Sequence, residues 1–318
     1  MQEFKRFKQF ISDKNYSSLA DGIRSVYMKR IDELSPMKQQ HFLSRIETVY
    51  GTRSKRLNPL GKWLSELTEE KFDEYQESTK SALSAFIDSR IGNNSDDSAK
   101  EKGNDWISSQ GKRGKDFLAY LEILMNYNII KRLRCSRYLS REEEIRSWLA
   151  NHWISDISFV KQNPDCFRLI PVQSINVFYY MSSLDIIDPD TIDENEKEFL
   201  EAFHESYGED LSDPIIFHNY LYSITHIIIG RSWFYEKKLP TYRDKYKWII
   251  EFFDKNRERI LSESTNDIIA EIGVVYLICT EEGKAKKYKK VVSEMIEDDG
   301  WILPINKTKN MSDAEHTN

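Results

Sequence analysis

Two apolar segments in the second half of the chain contain polar residues that could bind a ligand or transfer a proton. In the segment 213–230 the polar set is His218, Asn219, Tyr222, Thr225 and His226. Asn219, Tyr222 and His226 follow i, i+3, i+7 spacing, so they share one face of a helix, and the other two flank that face. The opposite face is apolar, which predicts a helix buried on both sides. Because an unpaired buried polar group costs about 1–3 kcal/mol, this face must meet another helix or a ligand.

The second segment, 266–279, contains two acidic residues one helical turn apart, Asp267 and Glu271. Asp267 falls in the first turn, where a carboxylate offsets the helix dipole and caps free amides. Glu271 is surrounded by aliphatic residues, so its carboxylate is expected to be desolvated unless a cation is supplied. We expect His226 or Arg231 to be that partner. The pair would then be either a structural ion pair or an acid–base pair facing a pocket.

The spacing of the histidines argues against a metal site. His218 and His226 are eight residues apart, more than two helical turns, so one helix cannot present both to a single ion at about 2 Å. The sequence also contains no GxGxxG, GxxxxGK[ST] or GxSxG motif. This absence argues against dinucleotide, P-loop and α/β-hydrolase chemistry, and we expect no cofactor.

The composition predicts an all-α fold. The 318 residues include only 12 Gly and 8 Pro, and the stretches between these breakers show helical periodicity. The three cysteines are far apart, which predicts neither disulfides nor a zinc site and fits a reducing, cytoplasmic location. Because no stretch approaches the roughly 18 apolar residues of a membrane span, we expect no membrane association.

The charge is distributed unevenly along the chain. The net charge is −6, and Lys and Arg concentrate within 112–137. A basic patch of this kind could contact phosphates, so weak nucleic-acid binding is a third functional hypothesis. Solvated helix ends beside the acidic run 142–144 explain the same pattern, and the acidic net charge makes nucleic acid an unlikely partner.

The order of patterned and unpatterned segments predicts the organisation of the chain. We expect an N-terminal helical bundle (1–91), a flexible linker (92–112), a C-terminal domain (113–305) and a disordered tail (306–318). In the C-terminal domain short connections favour antiparallel helical hairpins, and both a closed α/α toroid and an open bundle fit this pattern. The predicted helices are 3–13, 17–34, 36–50, 58–67, 69–91, 115–134, 139–155, 167–184, 192–207, 213–230, 241–261, 266–281 and 284–298.

Several motifs in the second half occur in an order that resembles a bacterial family of uncharacterised proteins. The motifs are YSITHIII at 222–229, SWFY at 232–235, WIIEFF at 248–253, DIIAEIG at 267–273 and WILP at 301–304. The family is domain of unknown function family 3541, and the resemblance covers roughly residues 165–305. The Tyr-x-x-Thr-His pattern is also similar to one in bacterial proteins with α/α-toroid folds. Neither resemblance implies an activity.

These patterns lead to one principal hypothesis and one alternative. The principal hypothesis is a cytosolic bacterial module without catalysis, which binds a protein partner or a small ligand. The alternative is an enzyme in which His226 and Glu271 transfer protons. In that enzyme the ligand contacts would be His218, Asn219, Tyr222, Thr225 and Asp267.

Overall fold

The fold is all-α throughout the part of the chain that the computed structural model describes. The described residues are 25, 28–50, 54–77, 98–208, 210–239 and 245–294, and none of them forms a β-strand. The predicted fold class is therefore confirmed. In chain order the helices are α1 (Pro36–Tyr50), α2 (Leu57–Glu77), α3 (Ser98–Ser109), α4 (Gly111–Arg132), α5 (Glu142–Gln162), α6 (Pro164–Leu169), α7 (Pro171–Ser183), α8 (Ile192–Tyr207), α9 (Pro214–Arg231), α10 (Lys247–Lys255), α11 (Arg257–Glu263), α12 (Asn266–Ile278) and α13 (Glu282–Glu294).

The chain groups into two compact units. Residues Lys55–Phe234 form one, the central unit. Residues Met1–Ser54 and Tyr235–Asn318 form the other, the terminal unit. The central unit contains α2 to α9, and the terminal unit contains α1 and α10 to α13.

The central unit is built around α4 and α7. Helix α4 packs against α2, α3, α5 and α7, and α7 packs in turn against α9. Phenylalanine rings fill the space between α6, α7 and α8: Phe178 stacks on Phe199 with 4.9 Å between ring centroids, and Phe167 meets Phe199 edge-on at 5.3 Å. Aromatic burial of this kind supplies much of the apolar contact that holds short helices together.

Polar side chains fix the ends of several helices. Asp213 caps α9, because its Oδ1 accepts hydrogen bonds from the amides of Ile215 (2.7 Å) and Ile216 (3.1 Å). Pro214 follows at the first helical position, where its missing N–H carries no penalty. The start of α5 has a partner from α2: Glu69 Oε1 accepts the amide of Arg141 at 3.0 Å. The helix boundaries thus follow from local sequence and, at α5, from a residue 72 positions away.

In the terminal unit, α12 packs against α13. The phenol of Tyr276 on α12 donates to Asp254 Oδ1 at 2.9 Å, and Lys284 of α13 contacts the other oxygen of that carboxylate at 2.7 Å. The ring of Tyr276 lies 5.4 Å from that of Tyr288. Asp254, at the end of α10, therefore connects α10 with α12 and α13.

The prediction of a flexible linker is wrong for most of residues 98–112. Residues 98–109 form α3, and α4 begins at Gly111, so most of the stretch 98–112 is helical. Gly103 in this stretch and Gly114 just after it serve close packing. A Cβ at Gly103 would collide with the carbonyl of Leu169, and a Cβ at Gly114 with that of Ile107. Residues 92–97 lie outside the described residues, as do the predicted helix 3–13 and the predicted tail 306–318.

Other predicted helices differ from the structure at their ends. The predicted helices 58–67 and 69–91 belong to one helix, α2, which the structure describes to residue 77. Thr68, which separates the two predictions, is helical, and its Oγ1 donates to the carbonyl of Leu64 at 2.6 Å. The segment 167–184 divides at Ile170, since Pro171 begins α7. The predicted helix 36–50 matches α1.

Gly230 of α9 lies directly against the side chain of Tyr179 on α7. A Cβ at this position would overlap the ring of Tyr179. We predict that Gly230→Ala lowers the free energy of unfolding by about 1–3 kcal/mol, because overpacking forces the ring or the helix to shift. Urea denaturation followed by circular dichroism measures the change.

The matched control for this variant is Gly283→Ala. A Cβ at Gly283, in the first turn of α13, would meet nothing within 4 Å. This change should raise stability slightly or leave it unaltered, because alanine favours helix by up to about 1 kcal/mol. Equal effects of the two substitutions would contradict the proposed contact.

Candidate functional site

The polar face predicted on α9 is present, and it has a buried part and a half-buried part. His218, Tyr222 and His226 are half-buried and succeed one another at one-turn intervals, and we call them the α9 ring stripe. The ring centroids of His218 and Tyr222 lie 4.9 Å apart in an edge-to-face arrangement, and those of Tyr222 and His226 lie 6.4 Å apart. The three rings therefore form one continuous strip of partly solvent-accessible surface on α9.

Asn176 on α7 orients the imidazole of His226. Its Oδ1 lies 2.9 Å from Nδ1 of His226, and Asn176 itself is only 7% exposed. Because an amide oxygen can only accept, Nδ1 carries the hydrogen. In the neutral ring Nε2 is then the nitrogen with the lone pair, able to accept a proton or a hydrogen bond.

Asn219 and Thr225 take part in helix packing. Asn219 is 5% exposed and donates from Nδ2 to the carbonyl of Arg168 at 2.6 Å, which connects α9 to α6. Thr225 is fully buried, and its hydroxyl donates to the carbonyl of Tyr222 one turn earlier at 3.0 Å. These bonds give both residues a structural role, and their contact with a ligand stays a prediction.

The second predicted segment forms α12, where Asp267 and Glu271 are half-buried. The residue that caps α12 is Thr265, whose hydroxyl accepts the amide of Ile268 at 3.4 Å. His226 belongs to the central unit and Glu271 to the terminal unit. The proposed proton-transfer pair therefore stays a prediction.

A fully buried carboxylate with a cation beside it, which we expected at Glu271, occurs at Glu196 of α8. Glu196 is 0% exposed. It accepts the phenol of Tyr179 at 2.7 Å and lies 3.7 Å from Arg231, which also pairs with Asp193 at 2.9 Å. The sequence contains a signal for this site, because residue 196 precedes the apolar positions 199, 200 and 203 at helical spacing.

A second set of polar and aromatic residues was not predicted. We call it the Asp156 cluster, and its members are Tyr75 of α2, Arg113 and Asp116 of α4, and Trp148, His152 and Asp156 of α5. Asp156 is 3% exposed, and Arg113 Nη1 reaches its Oδ1 at 2.8 Å. The other arginine nitrogen, Nη2, donates to the carbonyl of Ser155 at 2.8 Å. One arginine thus joins the start of α4 to α5.

Burial dominates the electrostatics of Asp156. Desolvation raises the pKa of its carboxyl to about 6, although Arg113 acts in the opposite direction. The pKa of the Tyr75 phenol is raised as well, first by burial and then by Asp116 and Asp156.

Aromatic rings form the other part of the Asp156 cluster. The ring centroids of Tyr75 and Trp148 are 4.9 Å apart, and those of Trp148 and His152 are 4.8 Å apart. His152 Nδ1 donates to the carbonyl of Trp148 at 2.8 Å, since a carbonyl can only accept. All three rings are half-buried. The sequence contains a signal for the burial of Asp156. This residue follows Ile145 by eleven positions and Leu149 by seven, so all three lie on the same, buried face of α5.

The basic residues within 112–137 make contacts inside the central unit. Besides the pairing of Arg113, Lys131 contacts Glu142 at 2.9 Å, and Arg132 donates to the carbonyl of Phe234 at 3.0 Å. These contacts support the structural explanation of the basic pattern. Nucleic-acid binding through this region stays a prediction.

The described part of the chain contains no group of three or more His, Cys, Asp or Glu side chains arranged to hold a metal ion. Within the same residues no helix is long and apolar enough to cross a membrane. Cys135, Cys166 and Cys279 are buried free thiols.

In its described residues the protein is all-α, with a half-buried ring stripe on α9 and a buried aspartate, Asp156, paired with Arg113. The chain belongs to the family described as Domain of unknown function (DUF3541), whose model matches residues 16–318. The family resemblance is thereby confirmed, and it extends well beyond the expected residues 165–305 into the first half of the chain. No curated protein and no solved structure matches this chain.

The raised pKa of Asp156 predicts a pH dependence of stability. Asp156 holds its proton more tightly in the native protein than in the unfolded chain, where the ordinary pKa of 3.8 applies. The resulting stabilisation is therefore complete below pH 3.8 and is lost as the pH rises through about 6. Because one pKa unit corresponds to about 1.4 kcal/mol, the loss amounts to about 3 kcal/mol.

Asp156→Asn should remove this contribution. Between about pH 4.5 and about pH 7.5, the free energy of unfolding of the native chain should fall by about 2 kcal/mol more than that of Asp156→Asn. Urea denaturation at both pH values gives the difference. The exposed Glu70→Gln serves as the control, and an unchanged pH dependence in Asp156→Asn would show that Asp156 ionises normally.

Proposed function

We propose that this protein is a helical binding module without catalysis, and that its ligand contacts the α9 ring stripe. The observation that carries this proposal is the succession of His218, Tyr222 and His226 on a helix whose other positions are largely buried. Three rings at one-turn spacing offer two imidazoles and a phenol to one ligand. They combine donors, acceptors and flat apolar surface, as binding sites for polar ligands commonly do.

The helix packing around the stripe supports this function because it fixes the stripe in position. Asn176 holds His226, Asn219 connects α9 to α6, and Gly230 brings α9 against Tyr179 of α7. A site whose side chains are already ordered loses less conformational entropy when a ligand binds. The ligand class that fits is a small polar molecule, or a segment of a protein partner, that carries both donors and acceptors.

The location is part of the same proposal. We place the protein in the bacterial cytosol, where buried free thiols such as Cys135, Cys166 and Cys279 remain reduced. The bacterial origin rests on the family resemblance.

One observation favours the enzyme alternative. His226 donates from Nδ1 to Oδ1 of Asn176, and this hydrogen bond fixes the tautomer with the lone pair on Nε2. A general base requires such a lone pair. In this alternative His226 accepts a proton, Glu271 is the second proton-transfer group, and Asp267 contacts the ligand. A ligand recovered unchanged after prolonged incubation with the protein, as shown by mass spectrometry, would favour the binding module, and a converted ligand would favour the enzyme.

The binding proposal is tested by screening a set of polar metabolites for a rise in melting temperature and then repeating the titration with stripe variants. We expect Tyr222→Phe and His226→Gln each to weaken binding by about tenfold or more, because each removes a hydrogen-bonding group at the centre of the site. Isothermal titration calorimetry measures the dissociation constants.

The control is His204→Gln, which makes the same chemical change at an exposed position on α8 and should leave binding unaltered. If no compound binds, or if binding survives both stripe substitutions, the α9 ring stripe is not the ligand site.

A further inference from the structure

We propose that helix α13 binds the phosphate backbone of double-stranded nucleic acid, without preference for its base sequence. The binding surface consists of Lys286, Lys287, Lys289 and Lys290, and we call it the α13 lysine face. It belongs to the terminal unit, so the proposal does not depend on the α9 ring stripe.

The first observation is the distribution of charge around α13. The helix, EGKAKKYKKVVSE, contains five lysines and two glutamates. Ala285 and Tyr288 are buried, at 0% and 3% exposure, and the ring of Tyr288 lies 5.4 Å from that of Tyr276 on α12. The lysines of the α13 lysine face are all exposed. At about 3.6 residues per turn they lie on the side of the helix away from α12.

The second observation is that the fold leaves these charges unbalanced. Lys284, at the edge of the buried side, pairs with Asp254 at 2.7 Å. Lys286, Lys287 and Lys289 have no hydrogen bond or ion pair among the described residues. Lys286 and Lys290 are one turn apart, and like charges at this spacing destabilise a helix. A bound anion would offset this repulsion, which the described residues do not.

The basic region 112–137 differs from α13 in this respect. Arg113 pairs with Asp156 at 2.8 Å, and Lys131 pairs with Glu142 at 2.9 Å. The net charge of −6 belongs to the whole chain, and exposed charges more than about 8–10 Å apart are largely screened at physiological ionic strength. The α13 lysine face is therefore the better surface for phosphates.

The composition of α13 distinguishes among nucleic acids. Proteins hold single strands by stacking bases on exposed aromatic rings, and the one ring of α13, Tyr288, is buried. Base edges are read mainly by arginine, asparagine and glutamine, which α13 does not contain. Lysine acts as a point charge on phosphate. The face therefore suits the backbone of a duplex.

Two other polyanions fit less well. Helices that lie on membranes insert apolar side chains into the lipid, and α13 exposes no large apolar side chain. An acidic protein segment can spread or turn its charges away, whereas a duplex presents one fixed charge per about 1.7 Å of its axis. The α13 lysine face extends over about 6 Å of helix, since each residue rises about 1.5 Å. Its lysines can thus contact phosphates of one duplex together.

The test is fluorescence anisotropy of a labelled DNA duplex of about 20 base pairs, titrated with the full chain between about 50 and about 200 mM potassium chloride. We expect saturable binding at the lowest salt concentration. The logarithm of the association constant should fall against the logarithm of salt concentration with a slope of about −3 to −4, because each of the four phosphate contacts contributes about −0.9. A duplex of unrelated sequence should bind equally well.

The variant Lys286→Gln/Lys289→Gln removes two charges from the centre of the face. It should weaken binding by about tenfold or more at the lowest salt concentration and reduce the magnitude of the slope by about 2. The matched control is Lys112→Gln/Lys131→Gln, which removes the same charge from exposed positions of the region 112–137 and should bind as the native chain does. Circular dichroism verifies that both variants are folded.

Competition experiments separate the possible partners. Unlabelled duplex, a single strand of the same length, polyglutamate, and vesicles of equal parts phosphatidylserine and phosphatidylcholine are compared at equal negative charge. We expect the duplex to displace the labelled DNA most effectively. More effective displacement by any of the other three would overturn the proposal.

The anisotropy titrations can contradict the proposal in three further ways. The first is absence of saturable binding at the lowest salt concentration. The second is unaltered binding by Lys286→Gln/Lys289→Gln. The third is an equal or larger loss of binding in Lys112→Gln/Lys131→Gln, which would assign binding to the region 112–137 or to the overall charge.

Discussion

A carboxylate enclosed between helices needs hydrogen-bond donors, because water is no longer present to solvate its charge. Glu196 shows how the central unit meets this need. It lies on α8, fully buried, and receives the phenol of Tyr179 from α7 with Arg231 of α9 close by. The same Tyr179 packs its ring against Gly230. One buried charge therefore determines the relative positions of three helices, and the α9 ring stripe depends on that arrangement.

The Asp156 cluster presents the opposite case. Arg113 supplies donors to one carboxylate oxygen and to a neighbouring carbonyl, and the second oxygen receives none from the described residues. Glu196 has both a phenol and a guanidinium nearby, so its role is complete within the fold.

The family assignment now covers the N-terminal helices as well as the motifs near the C-terminus. The α9 ring stripe lies in the central unit, and so does the Asp156 cluster, where residues of α2, α4 and α5 meet. Residues of the first half of the chain thus contribute chemistry that the recognised motifs of the second half do not contain. A description of the family from its C-terminal motifs alone would miss the Asp156 cluster.

The sequence alone determined the all-α class, the start of α9 at Asp213 and Pro214, and the one-turn spacing of its polar residues, because these depend on neighbours within a few positions. It did not determine which carboxylate is fully enclosed, or which residues surround it. Glu271 and Glu196 both lie among apolar residues at helical spacing, yet Glu271 is half-buried and Glu196 is fully buried, with Tyr179 and Arg231 reaching it from other helices. Arg113 and Asp156 are 43 residues apart, and glycines such as Gly103 serve close packing against a distant carbonyl. Only the tertiary structure decided these pairings, since periodicity carries no information about which helix lies opposite.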